Sequence, residues 1–244
     1  MSTITINGAA CLVADLGSDN PIDFDKLRAA TWNSVKCEGV ILRCTRSNCQ
    51  LDKKFSPRFA AAKEAGFLVG AYAFNTGETA KAQSDRFLGA IKSCGEFLCA
   101  IDFEHNPSGG QMTLSTLLEW LDRVDQATGR RAWLYSGNWI KTFIVQATDA
   151  QRSFLAEHAL WGCEYGPTFK LVDDKNKPLP WPKATLWQFT GDGVGPEPQT
   201  LAGLQAGADL SLFNGTRADL EQVWAGAPMR APVVASTDAA TDEG

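Results

Sequence analysis

Asp102 and Glu104 are the residues of this chain whose type and spacing point most directly to chemistry. They close an apolar run, Phe97-Leu98-Cys99-Ala100-Ile101-Asp102-Phe103-Glu104. A run of this composition reads as a buried strand, and residues i and i+2 of a strand share a face. Both carboxyls then emerge side by side at the strand's carboxyl end. Two neighbouring acids repel, which drives one toward its protonated form. A protonated acid beside an ionised one is the apparatus for breaking a glycosidic bond. The same two residues would also serve as a solvated rim or as a cap for the next helix, so the surrounding elements have to decide.

Those elements alternate. Short apolar runs predict strands over residues 11–16, 40–45, 67–74, 97–104, 131–136, 159–165, 184–190 and 208–213. Amphipathic segments predict helices over 24–36, 57–65, 79–93 and 113–128, with Thr79 and Thr113 at N-caps and Gly66, Gly95 and Gly129 at C-caps. Such alternation implies parallel strands with right-handed crossovers. Residues 165–208 carry Pro and Gly clusters and no helical pattern, so the last strands are joined by loops. The pattern suggests a β/α-type barrel. An open doubly wound sheet is the alternative, without a Gly-rich dinucleotide fingerprint to support it.

In a β/α barrel the active site gathers at the carboxyl ends of the strands. The first strand ends in Asp15, the third carries Tyr72 and the fifth Tyr135. Trp161, Glu164 and Tyr165 fall on the sixth, Trp187 and Gln188 on the seventh, and Asp209 opens the eighth. Singly, each has a plain structural role: a cap, a turn residue, a core aromatic. Acids this far apart in sequence converge only if the sheet closes, and a closed sheet would make them one carboxylate site lined with aromatics.

Composition narrows the partners. The chain has 23 basic and 28 acidic residues, a net charge of −5 and no basic stripe, which argues against nucleic acid. Residues 1–10 have no positive n-region and no long apolar stretch, so neither a signal peptide nor membrane insertion is expected, and synthesis in the cytoplasm is. The seven Cys are odd in number and irregularly spaced, and reduced thiols are expected. With only His105 and His158 available, a zinc site or a nucleophile–His triad has little to draw on.

The ordered set of motifs resembles the family 25 glycoside hydrolases, lysozymes of the Chalaropsis type. The matching stretches are Ala14-Asp15-Leu16, residues 66–74, Ala100-Ile101-Asp102-Phe103-Glu104 and Trp133-Leu134-Tyr135. Leu160-Trp161, Leu186-Trp187-Gln188-Phe189 and residues 207–215 follow. The resemblance implies an α/β fold, a single flattened TIM-like (β/α)5(β)3 barrel, over residues 1–225; the Ala/Pro/Thr-rich composition of 226–244 predicts a flexible tail. It implies an N-acetylmuramidase cutting the β-1,4 bond between N-acetylmuramic acid and N-acetylglucosamine. Glu104 matches the general acid/base and Asp102 its partner. Asp15, Asp209, Tyr72 and Tyr135 match residues around the sugar, and Trp161 and Trp187 are expected to bind substrate with them. No metal or cofactor is implied, and the expected partner is bacterial peptidoglycan met by a monomer. The expected lack of a signal peptide fits a phage endolysin, made in the host cytoplasm and acting on the wall after release; an intracellular bacterial or prophage-derived origin is equally compatible.

The chain also departs from the family pattern. Thr45-Arg46-Ser47 stands where many members have Thr-Glu-Gly, Ala73 replaces a common His, and Cys163-Glu164 replaces a small residue and Arg before Tyr165. These changes motivate a second reading, a glycan-binding barrel without catalysis. A third, a Mg²⁺-dependent phosphodiesterase, rests on clustered carboxylates alone.

Overall fold

A computed structural model describes Ile4, Ile6 and residues 8–226 other than 96, 174 and 206. The expected tail lies, from 227 onward, outside the described residues.

The chain begins with β1 (Ala10–Leu16), α1 (Phe24–Ala29), β2 (Thr31–Trp32), β3 (Val35–Thr45) and α2 (Phe55–Glu64). It continues through β4 (Leu68–Phe74), α3 (Ala80–Ile91), β5 (Leu98–Asp102), α4 (Leu114–Thr128) and β6 (Trp133–Ser136). The remainder is α5 (Asn138–Ile144), α6 (Asp149–Ala156), β7 (Leu160–Cys163), β8 (Leu186–Thr190), β9 (Asp209–Asn214) and α7 (Arg217–Trp224). The sheet runs β1-β9-β8-β7-β6-β5-β4-β3-β2, and a further β1–β3 pairing closes it. The expected barrel is therefore present: helices follow the early strands, and only loops connect β7, β8 and β9.

Apart from the short β2, which forms a hairpin with β3, one strand runs against the rest. β9 is antiparallel to both β8 and β1, whereas β1 and β3 to β8 pair in parallel. Its first residue, Asp209, therefore sits at the rim where the other strands end, as the direct cross-strand partner of Asp15.

Strand alternation sorts side chains into two layers. Val13, Ile41, Leu98, Ala100, Trp133 and Leu186 belong to a cluster inside the barrel. Leu12, Leu42, Cys99, Leu134 and Phe189 belong to a larger one between sheet and helices. The C-terminal helix α7 closes the end away from the acids, with Trp224 Nε1 donating to Val69 O at 3.0 Å. All seven cysteines are free thiols. No helix among the described residues is long and apolar enough to cross a membrane.

Three local differences from the sequence reading have clear causes. The helix expected over 24–36 stops at Ala29, because Asn33 and Ser34 take φ of 48° and 71° and turn the chain into the β2–β3 hairpin. Trp32 is thereby buried, its Nε1 donating to Pro198 O at 2.8 Å. Helices α6 and α7 were not expected, although both open on capping boxes, Thr148 with Gln151 and Thr216 with Asp219. Thr79 and Thr113 do cap α3 and α4, and Gly129 ends α4 in the left-handed region; α3 ends on Lys92 rather than at Gly95.

Candidate active site

β5 ends at Asp102, so Glu104 lies just past the last ladder residue and needs other support. Hydrogen bonds from both neighbouring strands supply it. On the β4 side, Asn75 N donates to Asp102 O at 3.0 Å, and Asn75 Nδ2 donates to Glu104 O at 2.8 Å. On the β6 side, Phe103 N donates to Tyr135 O at 2.9 Å, and Ser136 Oγ donates to Phe103 O at 2.6 Å. Asn75 is fully buried and in turn receives Asn106 Nδ2 at its carbonyl, at 3.2 Å. Asn75→Ala takes the Nδ2 donor from the Glu104 carbonyl and is expected to destabilise the fold by about 1–3 kcal/mol. Thermal melts check this, and an unchanged Tm would show that the bond does not hold this segment.

The inward face of the barrel mouth gathers the other candidates. Asp15, Tyr72, Asp102 and Tyr135 are each buried. Gln188 links two of them: Tyr135 Oη donates to Gln188 Oε1 at 2.7 Å, and Gln188 Nε2 donates to Asp15 Oδ2 at 2.9 Å. Asp102 Oδ1 is buried without a hydrogen-bond partner among the described residues. Asp209 lies beside Gly191, where a Cβ would come 2.2 Å from Asp209 Oδ1 and 2.5 Å from Tyr165 Oη. Only glycine lets the chain pass that close.

Crowding these carboxyls out of water raises all four. Burial is the main cause for Asp15, followed by the Asp209 charge. For Asp102 it is burial and then Glu104, with Arg43 opposing. Glu104 and Asp209 are each pushed up to about 7, by burial and then by Asp192. Arg43 enters from β3; its guanidinium lies against Gly17 and bonds Ser18, Asp19 and Asp52.

The two tryptophans fall on opposite faces of the sheet. Trp161 is 2% exposed inside the barrel, its Nε1 donating to Ser211 Oγ at 2.9 Å. Its ring meets Tyr135 edge-on at 4.6 Å and Tyr72 at 6.3 Å. Trp187, one residue from inward-facing Gln188, turns to the outer layer, where it packs on Phe189 and donates to Glu164 O at 2.9 Å. Alternation along the strand forces this split.

Gln188, read in the sequence as a strand-end residue, bonds Asp15 and Tyr135, while Asn75 and Asp192, not singled out in the sequence, bond the Glu104 backbone and Tyr165 Oη. Gln188 shares its strand face with Leu186 inside the barrel, and an Asp-Gly pair at 192–193 is a turn signal. No group of three or more His, Cys, Asp or Glu side chains among the described residues is arranged to hold a metal ion.

The family model described as glycosyl hydrolases family 25 matches residues 19–197. The chain belongs to that family. The match contains Asp102 and Glu104, while Asp15 and Asp209 flank it. Among relatives of this family 25 chain, lysozyme M1 of Streptomyces globisporus is 26% identical over 206 residues, covering 78% of this chain and 65% of its own. The uncharacterised protein YegX of Escherichia coli K12 is 24% identical, covering 82% and 68%. The chain thus spans about two thirds of the length of these relatives. Among solved structures, a bacterial lysozyme from Streptomyces coelicolor superposes with a TM-score of 0.69 at 20% identity, covering 91% of this chain and 100% of that one. A muramidase from Acremonium alcalophilum gives 0.67 at 22% identity, covering 88% and 99%. At these identities the likeness is one of fold.

Proposed function

We propose that this family 25 chain is a peptidoglycan hydrolase, a lysozyme that cleaves the β-1,4 bond between N-acetylmuramic acid and N-acetylglucosamine, with residues 1–225 as its catalytic barrel. One observation carries the reading: Glu104, lifted to about 7, stands at the mouth of the barrel among three other acids. A carboxyl that is half protonated at neutral pH gives a proton to the leaving oxygen and then takes one from water. Glu104 is the general acid/base in this mechanism.

Asp102 supports the charge that develops at the sugar, either directly or by orienting the substrate's own 2-acetamido group. The second route is favoured because Asp102 and Glu104 share one strand face, whereas a nucleophile and acid pair stand across the bond at ~5–5.5 Å. Asp15 and Asp209 hold the sugar and tune Glu104, and Tyr72 and Tyr135 line the floor beneath them. The proposed cellular role is that of an endolysin acting on the bacterial wall. Mass spectrometry of digested peptidoglycan tests the reading. Reducing-end N-acetylmuramic acid is expected; reducing-end N-acetylglucosamine, or wall binding without cleavage, would overturn it.

A further inference from the structure

Four cations surround the loop that leaves β1, on the same rim as the acids. Arg58 donates to Gly17 O and Asn20 O, and Lys54 Nζ donates to Ser18 O at 2.9 Å. Arg43 and Arg46 both donate to Ser18 Oγ, from Nη2 at 3.0 Å and from Nη1 at 3.1 Å. Two guanidinium groups on one hydroxyl oxygen stand side by side, and their like charges repel. The carboxylate between them is Asp19. Its Oδ2 accepts from Arg43 Nη2 at 3.2 Å and from Arg46 Nη2 at 3.5 Å.

Asp19 is a loosely held occupant of this fork. Its side chain is 74% exposed, whereas that of Asp52, which binds Arg43 Nε at 3.2 Å, is 1% exposed. The bond from Arg46 is long for a hydrogen bond, and an ion pair this exposed is worth little to the fold. Arg46 is itself 39% exposed, so its guanidinium is open to an incoming group.

The fork is joined to the site by contacts on both sides. Arg43 follows Ile41 on the inward strand face and lies opposite Tyr72 in the β3–β4 register. The turn carrying Arg46 is closed by Arg46 N to Gln50 O at 2.8 Å and Cys49 N to Arg46 O at 3.0 Å. Asn106 Nδ2 donates both to Ser47 O in that turn, at 3.0 Å, and to Asn75 O, at 3.2 Å. Asn75 is the residue that holds the Glu104 carbonyl. Ser47 Oγ also meets Ser108 Oγ at 3.1 Å, just past the Glu104 segment.

Peptidoglycan carries free carboxylates on its peptides, and the acids of the barrel mouth repel them. Paired arginines at the rim are the place where such a carboxylate is welcome, since a guanidinium binds it by charge-assisted hydrogen bonds.

We propose that Arg46, together with Arg43, is a specificity-determining residue: the two guanidinium groups take a carboxylate of the substrate's peptide in place of Asp19, so that walls with free carboxylates are preferred over neutral ones. The inference deepens the proposed function and rests on peptidoglycan being the substrate. Arg46 stands where many family members carry Glu, so the preference belongs to this chain rather than to the family.

The test compares purified peptidoglycan with the same material after its carboxyls are converted to amides by carbodiimide and ammonia. Arg46→Gln is expected to raise KM on the native wall by about two- to fivefold, the range of an exposed ion pair. Asp19→Asn removes the competing carboxylate and is expected to lower KM on the native wall, by a similar factor. Neither change is expected to move KM on the amidated wall. The wild-type preference for the native wall is expected to shrink in high salt. Co-sedimentation of both walls with the three proteins, each carrying Glu104→Gln, reads binding without turnover.

Ion pairs that only brace the loop predict shifts of the same sign for both variants, equal on the two walls, and that result overturns the inference. If the three proteins cleave and bind both walls alike, the inference also falls while the lysozyme reading stands. If none cleaves native peptidoglycan but binding still shifts in opposite directions for the two variants, the role of Arg46 stands and the lysozyme reading falls.

Discussion

Glu104→Gln is expected to abolish hydrolysis of purified peptidoglycan and, at the same time, to make the protein more stable above neutral pH. The loss follows from the role: general acid–base groups contribute ~10²–10⁴ in rate, and Gln neither gives nor takes the proton. Turnover within tenfold of wild type would sink the assignment.

The stability gain follows from the raised pKa. In the fold, burial pushes Glu104 up to about 7 from its ordinary value of 4.5, so between these values the folded state binds more protons than the unfolded one. By linkage, stability then falls as pH rises through that window and stays lower above it. Gln escapes this cost. The variant should match wild type near pH 4 and exceed it at pH 8, by about 1–3 kcal/mol once partial solvent exposure is allowed for. Thermal melts of both proteins at three pH values measure the difference. A gap that does not grow with pH would mean that Glu104 is not held in a proton-favouring site. Function at the expense of stability is the usual bargain in such sites.

Trp161→Ala is expected to be the most destabilising single change at the site. It removes a fully packed indole from inside the barrel, strips Ser211 Oγ of its donor and takes away the ring on which Tyr135 and Tyr72 lean. Large aromatic-to-Ala changes in a core cost ~3–5 kcal/mol, which for a chain of this size lowers Tm by about 10 °C. Activity should fall as well, because Tyr135 carries Gln188 and Gln188 carries Asp15. Trp187→Ala should cost far less in both respects. Were Trp187→Ala to raise KM for peptidoglycan more than Trp161→Ala does, the placement of the two rings relative to substrate would be wrong.

The two tryptophans show why part of the site was legible in the sequence and part was not. Strands of a parallel barrel are covered on both faces, so they read as apolar throughout. Leu160-Trp161-Gly162-Cys163 and Leu186-Trp187-Gln188-Phe189 therefore look alike until the sheet closes and one face becomes the lumen. The polar residue in the second run is the better guide: Gln188 marks the inward face, and its neighbour Trp187 must point outward. Asn75 left less trace, since a polar residue after a strand is ordinary and its bonds run to the backbone of a segment nearly thirty residues away.

The chain's own order of residues determined the alternation of strands and helices, the absence of helices between β7 and β9 and the pairing of Asp102 with Glu104. These are local properties, set by hydrophobic period and by i, i+2 geometry. Tertiary structure alone decided that β9 runs antiparallel and lays Asp209 against Asp15, and that Asn75 and Ser136 grip the segment carrying Glu104. Strand direction, cross-strand register and the burial that lifts a carboxyl to about 7 arise only when distant segments share one space, where desolvation and like charge act together.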